Sequence, residues 1–288
     1  MGIFFRLLSY LPLRLLHTLG AGLGYLVYLL TSTYRKHLQA NLDLALGNAA
    51  TPQHYTAAAY EAGKQALELP KVWLRSLEEV AGRVVQISGW ELVAAARASN
   101  KGLIFLTPHL GCFEITAQYI STHFPITVMY RPPKMAWLHQ MVITGRTREQ
   151  LKLAPADVSG VRSLVKCLRK GEAIGLLPDQ APKVGEGVWC PFFGKQAYTM
   201  TLAARLSETG ATVLRIWAER LPQGAGYHIH ISPPQTPLTG NTAERAAQIN
   251  REMEALIREC PSQYLWGYNR YKRPGGADAP PVENLLDN

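Results

Sequence analysis

Charge and cysteine are both scarce in this sequence. Charged residues occupy 18% of the 288 positions, against roughly a quarter in typical soluble domains, whereas hydrophobic residues occupy 47%. The four cysteines are widely separated and form no CxxC pair, which argues against a disulfide framework or a cysteine zinc site and indicates reduced thiols. His123 and His139 lack the spacing of a zinc pair. We therefore expect no metal and no bound organic cofactor.

Acidic residues are outnumbered by basic ones. The chain has 30 Lys and Arg against 21 Asp and Glu, a formal net charge of +9. This balance indicates attraction to anionic partners such as phospholipid headgroups, nucleic acid or acidic proteins. Because the basic residues belong to no recognisable nucleic-acid-binding motif, nucleic acid is the weakest of these three.

Formal charge is absent from Leu15 to Tyr34, a run that just reaches the length of a bilayer span. Arginines precede this run, and Arg35 and Lys36 follow it. His17, three glycines and four threonines or serines dilute its hydrophobicity, so an interfacial helix fits at least as well as a spanning one, and a buried core helix is the alternative. We predict a membrane anchor or interfacial helix over residues 1–36. No small-x-small cleavage site follows, and we expect the protein to face the cytoplasm.

The rest of the chain shows helical and strand patterns in alternation. Residues 37–79 predict two or three helices, and residues 275–288 a flexible tail. Between them, buried or alternating apolar runs predict strands, and amphipathic runs predict helices. The strands are predicted at 103–106, 126–130, 173–177, 211–218 and 227–232, and the helices at 111–122, 157–170, 199–209 and 241–259. This order predicts an α/β fold with a central mixed, mainly parallel sheet flanked by helices, within one domain over residues 37–274.

The most informative segment is Thr-Pro-His-Leu-Gly-Cys-Phe-Glu at 107–114. It places His109 at the carboxyl end of a predicted strand, where α/β sheets bind ligands, and Glu114 in the first turn of the next helix. We predict that Glu114 binds one imidazole nitrogen and orients His109 as a general base for a substrate hydroxyl. Gly111 allows a tight turn, and backbone N–H groups near it could bind an oxyanion. A purely structural histidine is the alternative.

Residues 100–273 resemble the lysophospholipid-type acyltransferases with an H-x4-D/E motif, and most closely the late acyltransferases of lipid A biosynthesis. His109 and Glu114 supply the motif. Further matching stretches are Tyr130-Arg131-Pro132, Gly145-Arg146-Thr147-Arg148, Leu177-Pro178-Asp179-Gln180, Pro191-Phe192-Phe193-Gly194 through Thr199, and Tyr264-Leu265-Trp266 through Pro274. One departure is Tyr268-Asn269, where the family often has a His-Arg pair, so no role is carried over to that segment.

The resemblance implies transfer of a fatty acyl group from the thioester of acyl carrier protein to a hydroxyl of a lipid A precursor. The phosphopantetheine would arrive on the donor protein, and the enzyme would act at the cytoplasmic face of the inner membrane. A glycerophospholipid or phosphatidylinositol mannoside acceptor is an alternative with the same chemistry. A non-catalytic lipid-binding or carrier-binding membrane protein is an alternative of another class.

Several other polar residues are expected to bind substrate. Arg131, Arg146 and Arg148 lie near Lys134 and Lys152 in a basic segment, which suits phosphate or carrier-protein binding, although a solvated basic face would give the same pattern. The resemblance adds Asp179 and Gln180, for which a turn role is the alternative. The aromatic residues Trp189, Phe192 and Phe193 either line an acyl channel or belong to the core.

Overall fold

The N-terminal third of the molecule is helical. The computed structural model describes residues 2–132 and 136–281. Five helices precede the sheet, in agreement with the predicted helical region: α1 (Gly2–Tyr10), α2 (Leu13–Leu30), α3 (Ser32–Leu46), α4 (Pro52–Leu74) and α5 (Leu77–Ala81). The uncharged run is thus divided at Thr31 between two helices. Within the described residues, α2 is the one helix long and apolar enough to cross a membrane, with a mean hydropathy of 1.3.

Glycines bring α2 into close contact with α4. A Cβ on Gly63 would lie 1.9 Å from the carbonyl oxygen of Gly20 and 2.6 Å from the backbone nitrogen of Gly24. A larger side chain at Gly63 is therefore excluded unless the two helices separate. The opposite side of α2 is exposed and apolar, with Leu19 and Leu26 about half accessible. One side of the predicted anchor is consequently part of the protein core.

A seven-stranded sheet forms the centre of the molecule. Its strands are β1 (Val84–Ser88), β2 (Leu103–Leu106), β3 (Ile126–Tyr130), β4 (Leu151–Pro155), β5 (Ala173–Leu176), β8 (Thr212–Arg220) and β9 (Tyr227–Ser232). They lie in the order β1-β9-β8-β2-β5-β3-β4, and only the β8 and β9 pair is antiparallel. A separate antiparallel hairpin contains β6 (Gly187–Phe192) and β7 (Lys195–Met200). The predicted mixed, mainly parallel α/β sheet is confirmed.

Helices cover both faces of the sheet. They are α6 (Trp90–Ala98), α7 (Phe113–Ile120), α8 (Ala136–Arg146), α9 (Val158–Arg169), α10 (Leu202–Ser207) and α11 (Thr242–Glu259). One core, with Phe105 and Ile216, packs against α4, α6 and α7. The other, with Ile104 and Trp217, packs against α9, α10 and α11. The two cores alternate along β2 and β8, as the side chains of a strand do.

Two predicted boundaries were wrong. The helix predicted from Thr199 begins at Leu202, because Thr199 pairs with Val188 in the β6–β7 hairpin. The helix predicted from Gly111 begins at Phe113, because Gly111 has a positive φ of 57°. The helix predicted at 241–259 is confirmed, and Asn241 caps it, since the Asn241 side chain accepts the backbone N–H of Glu244.

A buried ionic cluster joins the helical region to the sheet. Arg220, at the end of β8, donates from Nε to Oε2 of Glu68 (2.9 Å) and from a terminal nitrogen to Oε1 (2.6 Å). The same carboxylate accepts the Tyr227 hydroxyl (3.0 Å) and lies 3.0 Å from His17 Nε2 on α2. Burial alone would raise the pKa of Glu68, but the charge of Arg220 and these hydrogen bonds lower it from 4.5 to about 2.

Glu68 should control the acid stability of the protein. Because its folded-state pKa lies below the unfolded value, its contribution is present above pH 4.5 and is lost as the pH falls towards about 2. We expect Glu68→Gln to lower the free energy of unfolding by about 3–5 kcal/mol at pH 7 and to flatten its pH dependence over that window. Denaturant unfolding in detergent measures both quantities. Glu78→Gln, at an exposed carboxylate, is the control; equal pH profiles for all three proteins would contradict the assignment.

Candidate active site

His109 lies in a tightly held loop after β2. Gly111 sits against β8, where a Cβ would lie 1.9 Å from the carbonyl oxygen of Ala218, so the predicted turn at this glycine is confirmed. The Gly111 N–H donates to the carbonyl oxygen of Gln263 (3.0 Å), and the Cys112 N–H donates to that of Ala218 (2.9 Å). These two amides are engaged within the protein, and the oxyanion role predicted for the backbone N–H groups near Gly111 stays a prediction.

The partner of the His109 imidazole is Asp179. His109 Nδ1 lies 2.8 Å from Asp179 Oδ1, and the backbone N–H of His109 donates to Oδ2 at 2.9 Å. Asp179 follows β5, the neighbour of β2 in the sheet, so the carboxyl ends of two parallel strands bring the two residues together. Since the buried carboxylate accepts Nδ1–H, Nε2 carries the lone pair of the neutral ring. Gln180 Nε2 lies 3.2 Å from it.

Glu114 does not contact His109, and the predicted His109–Glu114 pair is replaced by the pair with Asp179. The helix α7 begins only at Phe113, and its first turn directs Glu114 towards α8 and α4. There Arg146 donates from Nε to Oε2 of Glu114 (2.8 Å) and from a terminal nitrogen to Oε1. The indole N–H of Trp73 also donates to Oε2, at 3.1 Å. The carboxylate is buried, and each of its oxygens accepts at least one hydrogen bond.

A buried tyrosine that the sequence analysis left without a role completes the support of Asp179. The Tyr264 hydroxyl lies beside the Asp179 carboxylate and interacts with it. Burial alone would raise the pKa of Asp179, but the charge of His109 and the hydrogen bonds from His109 and Tyr264 hold it below its ordinary value. The next residue, Leu265, donates its N–H to the carbonyl oxygen of His109 at 3.2 Å. The family resemblance included the stretch from Tyr264, but only the fold shows that this stretch lies beside His109.

The predicted basic segment is divided by the structure. Arg131 is exposed at the end of β3, and Arg131 and Arg146 both line a cavity beside His109. Arg148 instead donates to the side chain of Gln118 (3.0 Å) and to two backbone carbonyls of the α4–α5 junction, which is a structural role. Lys152 lies exposed on β4, and Lys134 lies outside the described residues.

The cavity, of about 300 Å³, runs from His109 into the core between the sheet and α7. His109, Gln180, Arg131 and Arg146 give its mouth polar groups. Its deeper wall is apolar and is formed by Ile120, Ile126, Val128, Leu151 and Ile216. Ile126 and Leu151 begin their strands, so the deep end lies near the amino ends of β3 and β4. The shape suits a long apolar group whose reactive end lies at the histidine.

The aromatic residues considered for an acyl channel do not line this cavity. Phe192 and Phe193 are buried in the core that α11 covers. Trp189 donates its indole N–H to the carbonyl oxygen of Asp278 (3.1 Å). Tyr268, in the segment that departs from the family pattern, accepts the backbone N–H of Ala181 (3.1 Å) and so supports the loop after Asp179.

Fold and site together define an α/β protein with a partly buried histidine–aspartate contact at the mouth of an apolar cavity. The sequence model of the bacterial lipid A biosynthesis acyltransferases matches residues 1–273, and the chain belongs to this family. It is 28% identical to the lipid A biosynthesis lauroyltransferase of Escherichia coli K12 over 92% of this chain and 88% of that protein. It is 26% identical to a lipid A biosynthesis acyltransferase of Haemophilus influenzae over 92% of this chain and 85% of that protein. It is 27% identical to a lipid A biosynthesis palmitoleoyltransferase of E. coli K12 over 66% of this chain and 62% of that protein.

The Glu114–Arg146 pair is expected to stabilise the wall of the cavity. Glu114→Gln leaves the partly buried Arg146 without its anionic partner and should lower the free energy of unfolding by about 1–3 kcal/mol. Arg146→Met should cost a similar amount. If the residues act as a pair, the double variant will lose clearly less free energy of unfolding than the two single variants together. Thermal unfolding of the wild type, the two single variants and the double variant measures this. Strict additivity would show that the pair contributes no coupling.

Proposed function

We propose that this protein transfers a fatty acyl group from the thioester of acyl carrier protein to a hydroxyl of a lipid A precursor. The observation that carries the proposal is the His109 ring at the mouth of an apolar cavity, with Nδ1 against the Asp179 carboxylate and Nε2 directed away from it. The family relationship supports the lipid A acceptor. The acyl chain would fill the cavity, with its thioester carbon at the mouth.

In the proposed reaction, the acceptor hydroxyl displaces the Gln180 amide from His109 Nε2. Nε2 takes the hydroxyl proton as the oxygen bonds to the thioester carbon, and Asp179 stabilises the imidazolium. As the carbon–sulfur bond breaks, the imidazolium returns the proton to the departing thiolate. The histidine thus begins and ends each turnover neutral, and no protein nucleophile is needed.

The oxyanion of the tetrahedral intermediate requires hydrogen-bond donors. We assign this role to the side-chain amide of Gln180, which becomes free once the hydroxyl has displaced it from Nε2. Glu114 is a positioning residue that fixes the Arg146 guanidinium at the cavity wall. Exposed Arg131 is suited to a phosphate of the acceptor or to the carrier protein.

An interfacial position on the inner membrane fits the helical region. The exposed apolar side chains of α1 and α2 form one surface, which comprises Phe4, Leu7, Tyr10, Leu15, Leu19, Leu23, Leu26, Val27, Leu29 and Leu30. Arg6 and Arg14 are exposed within the same segment, where they can meet lipid phosphates. Because the other side of α2 packs on α4, this surface would hold the cavity close to a lipid acceptor at the cytoplasmic face.

The proposed base is tested by transfer of a radiolabelled acyl group from acyl carrier protein to a purified Kdo-bearing lipid A precursor in detergent micelles. We expect His109→Ala and Asp179→Asn each to lower kcat by about 10²–10⁴-fold. His37→Ala, a histidine of α3 outside the cavity, is the matched control. Undiminished transfer by folded His109→Ala would disprove the mechanism and favour the non-catalytic lipid-binding alternative. Acylation of a glycerophospholipid in place of the precursor would identify that acceptor class.

Gly175 should influence the acyl chain length. It lies on β5 in the cavity wall, and an added Cβ would lie 3.0 Å from Val128 Cγ1. We expect Gly175→Val to lower kcat/KM for the preferred acyl donor by about 10–200-fold and to shift preference to shorter chains, because a methylene in an apolar pocket contributes about 1–3 kcal/mol. Competition between acyl donors that carry acyl chains of different length measures this preference, with Gly22→Ala as the control. An equal decrease for all chain lengths would exclude the assignment.

A further inference from the structure

Three side chains with ligand atoms meet on the antiparallel pair β8 and β9. Glu219 on β8 lies opposite His228 on β9, and His230 follows two residues later. One ligand atom of each residue lies within 4.8 Å of the other two. Since side chains alternate across a strand, Glu219 lies on the face of the sheet opposite to Ile216, which lines the cavity. The proposed acyl-transfer reaction makes no use of this cluster.

We propose that Glu219, His228 and His230 bind a divalent transition-metal ion, with Zn²⁺ as the best fit. His230 Nε2 lies 3.0 Å, and His228 Nδ1 3.9 Å, from Glu219 Oε2. Ligand atoms of a tetrahedral zinc ion, at about 2.0–2.1 Å from the metal, are separated by about 3.4 Å. The distances in the protein lie on either side of this value, so small side-chain rotations complete the site. Two imidazole ligands favour zinc over magnesium or calcium.

The surroundings hold the two imidazole rings close to the required orientation. Ser88 Oγ, on the neighbouring strand β1, lies 2.8 Å from His228 Nε2. When Nδ1 binds a metal, Nε2–H can donate to this hydroxyl, the arrangement by which metal-binding histidines are usually oriented. The Trp217 ring stacks on His230 with a centroid separation of 4.5 Å and an interplanar angle of 11°. Both rings are therefore positioned before any ion arrives.

The cluster also leaves room for a further ligand. The ring centroids of His228 and His230 are 3.8 Å apart. The side chains of His228, His230 and Glu219 are 12%, 28% and 34% exposed, so water can reach a fourth coordination position.

Metal titration of the full chain tests the site. The purification tag must be removed, because a polyhistidine tag would itself bind the metal. We expect one equivalent of Co²⁺ to give the visible absorption of a tetrahedral ion and to be displaced by Zn²⁺, with affinities measured by calorimetry. His228→Ala and His230→Ala should each weaken binding by at least about tenfold, and Ser88→Ala by about tenfold. His37→Ala should bind as the wild type does.

Two outcomes would overturn the proposal. One is the absence of a one-to-one site in the wild type, and the other is equal Zn²⁺ affinity in wild type, His228→Ala and His230→Ala. Glu219→Gln keeps the size of the side chain and removes its charge, so it provides a folded variant in which binding should also weaken. Circular dichroism confirms the fold of each protein. Because binding is measured without acyl transfer, this inference and the proposed enzymatic function can fail independently.

Discussion

The buried contact between Arg220 and Glu68 is the constraint on which the rest of the molecule depends. Removing either partner would leave a charge without compensation inside the protein, a more severe defect than the loss of an apolar contact. The Glu68 carboxylate binds polar side chains of α2, β8 and β9 at the same time. It therefore fixes the orientation of the helical region relative to the sheet. The outward apolar surface of α2 thereby acquires a defined position relative to the cavity.

The same strand end holds the loop that carries His109. Two residues before Arg220, the carbonyl oxygen of Ala218 accepts the Cys112 N–H, while the segment around Gln263 accepts the Gly111 N–H. Asp179 holds the ring and the backbone of His109 from the other side. The loop is therefore fixed by three segments distant in sequence. A histidine oriented in this way loses little conformational freedom on binding a substrate, which suits the general-base role proposed for it.

Local patterns predicted much of the fold, whereas the partners in the site depended on long-range contacts. The apolar run before His109 and the capping box at Asn241 are local signals, and both elements were predicted. The strands β1 and β4, the β6–β7 hairpin and the helices α6 and α8 were not predicted. Glu114 was assigned to His109 because it is near in sequence. Asp179 is the actual partner because β2 and β5 are adjacent, and no local pattern reveals strand order.

Alternation along β8 separates two kinds of chemistry. Ile216 and Ala218 face the cavity side, where α4 and α7 pack, while Trp217 and Glu219 face the side of α11. A polar cluster at Glu219 is thus compatible with an apolar cavity only a few residues away, because the backbone of the sheet lies between them. The separation has one limit. Because β8 supports both faces, a change that moves this strand would alter the His109 loop and the Glu219 cluster together.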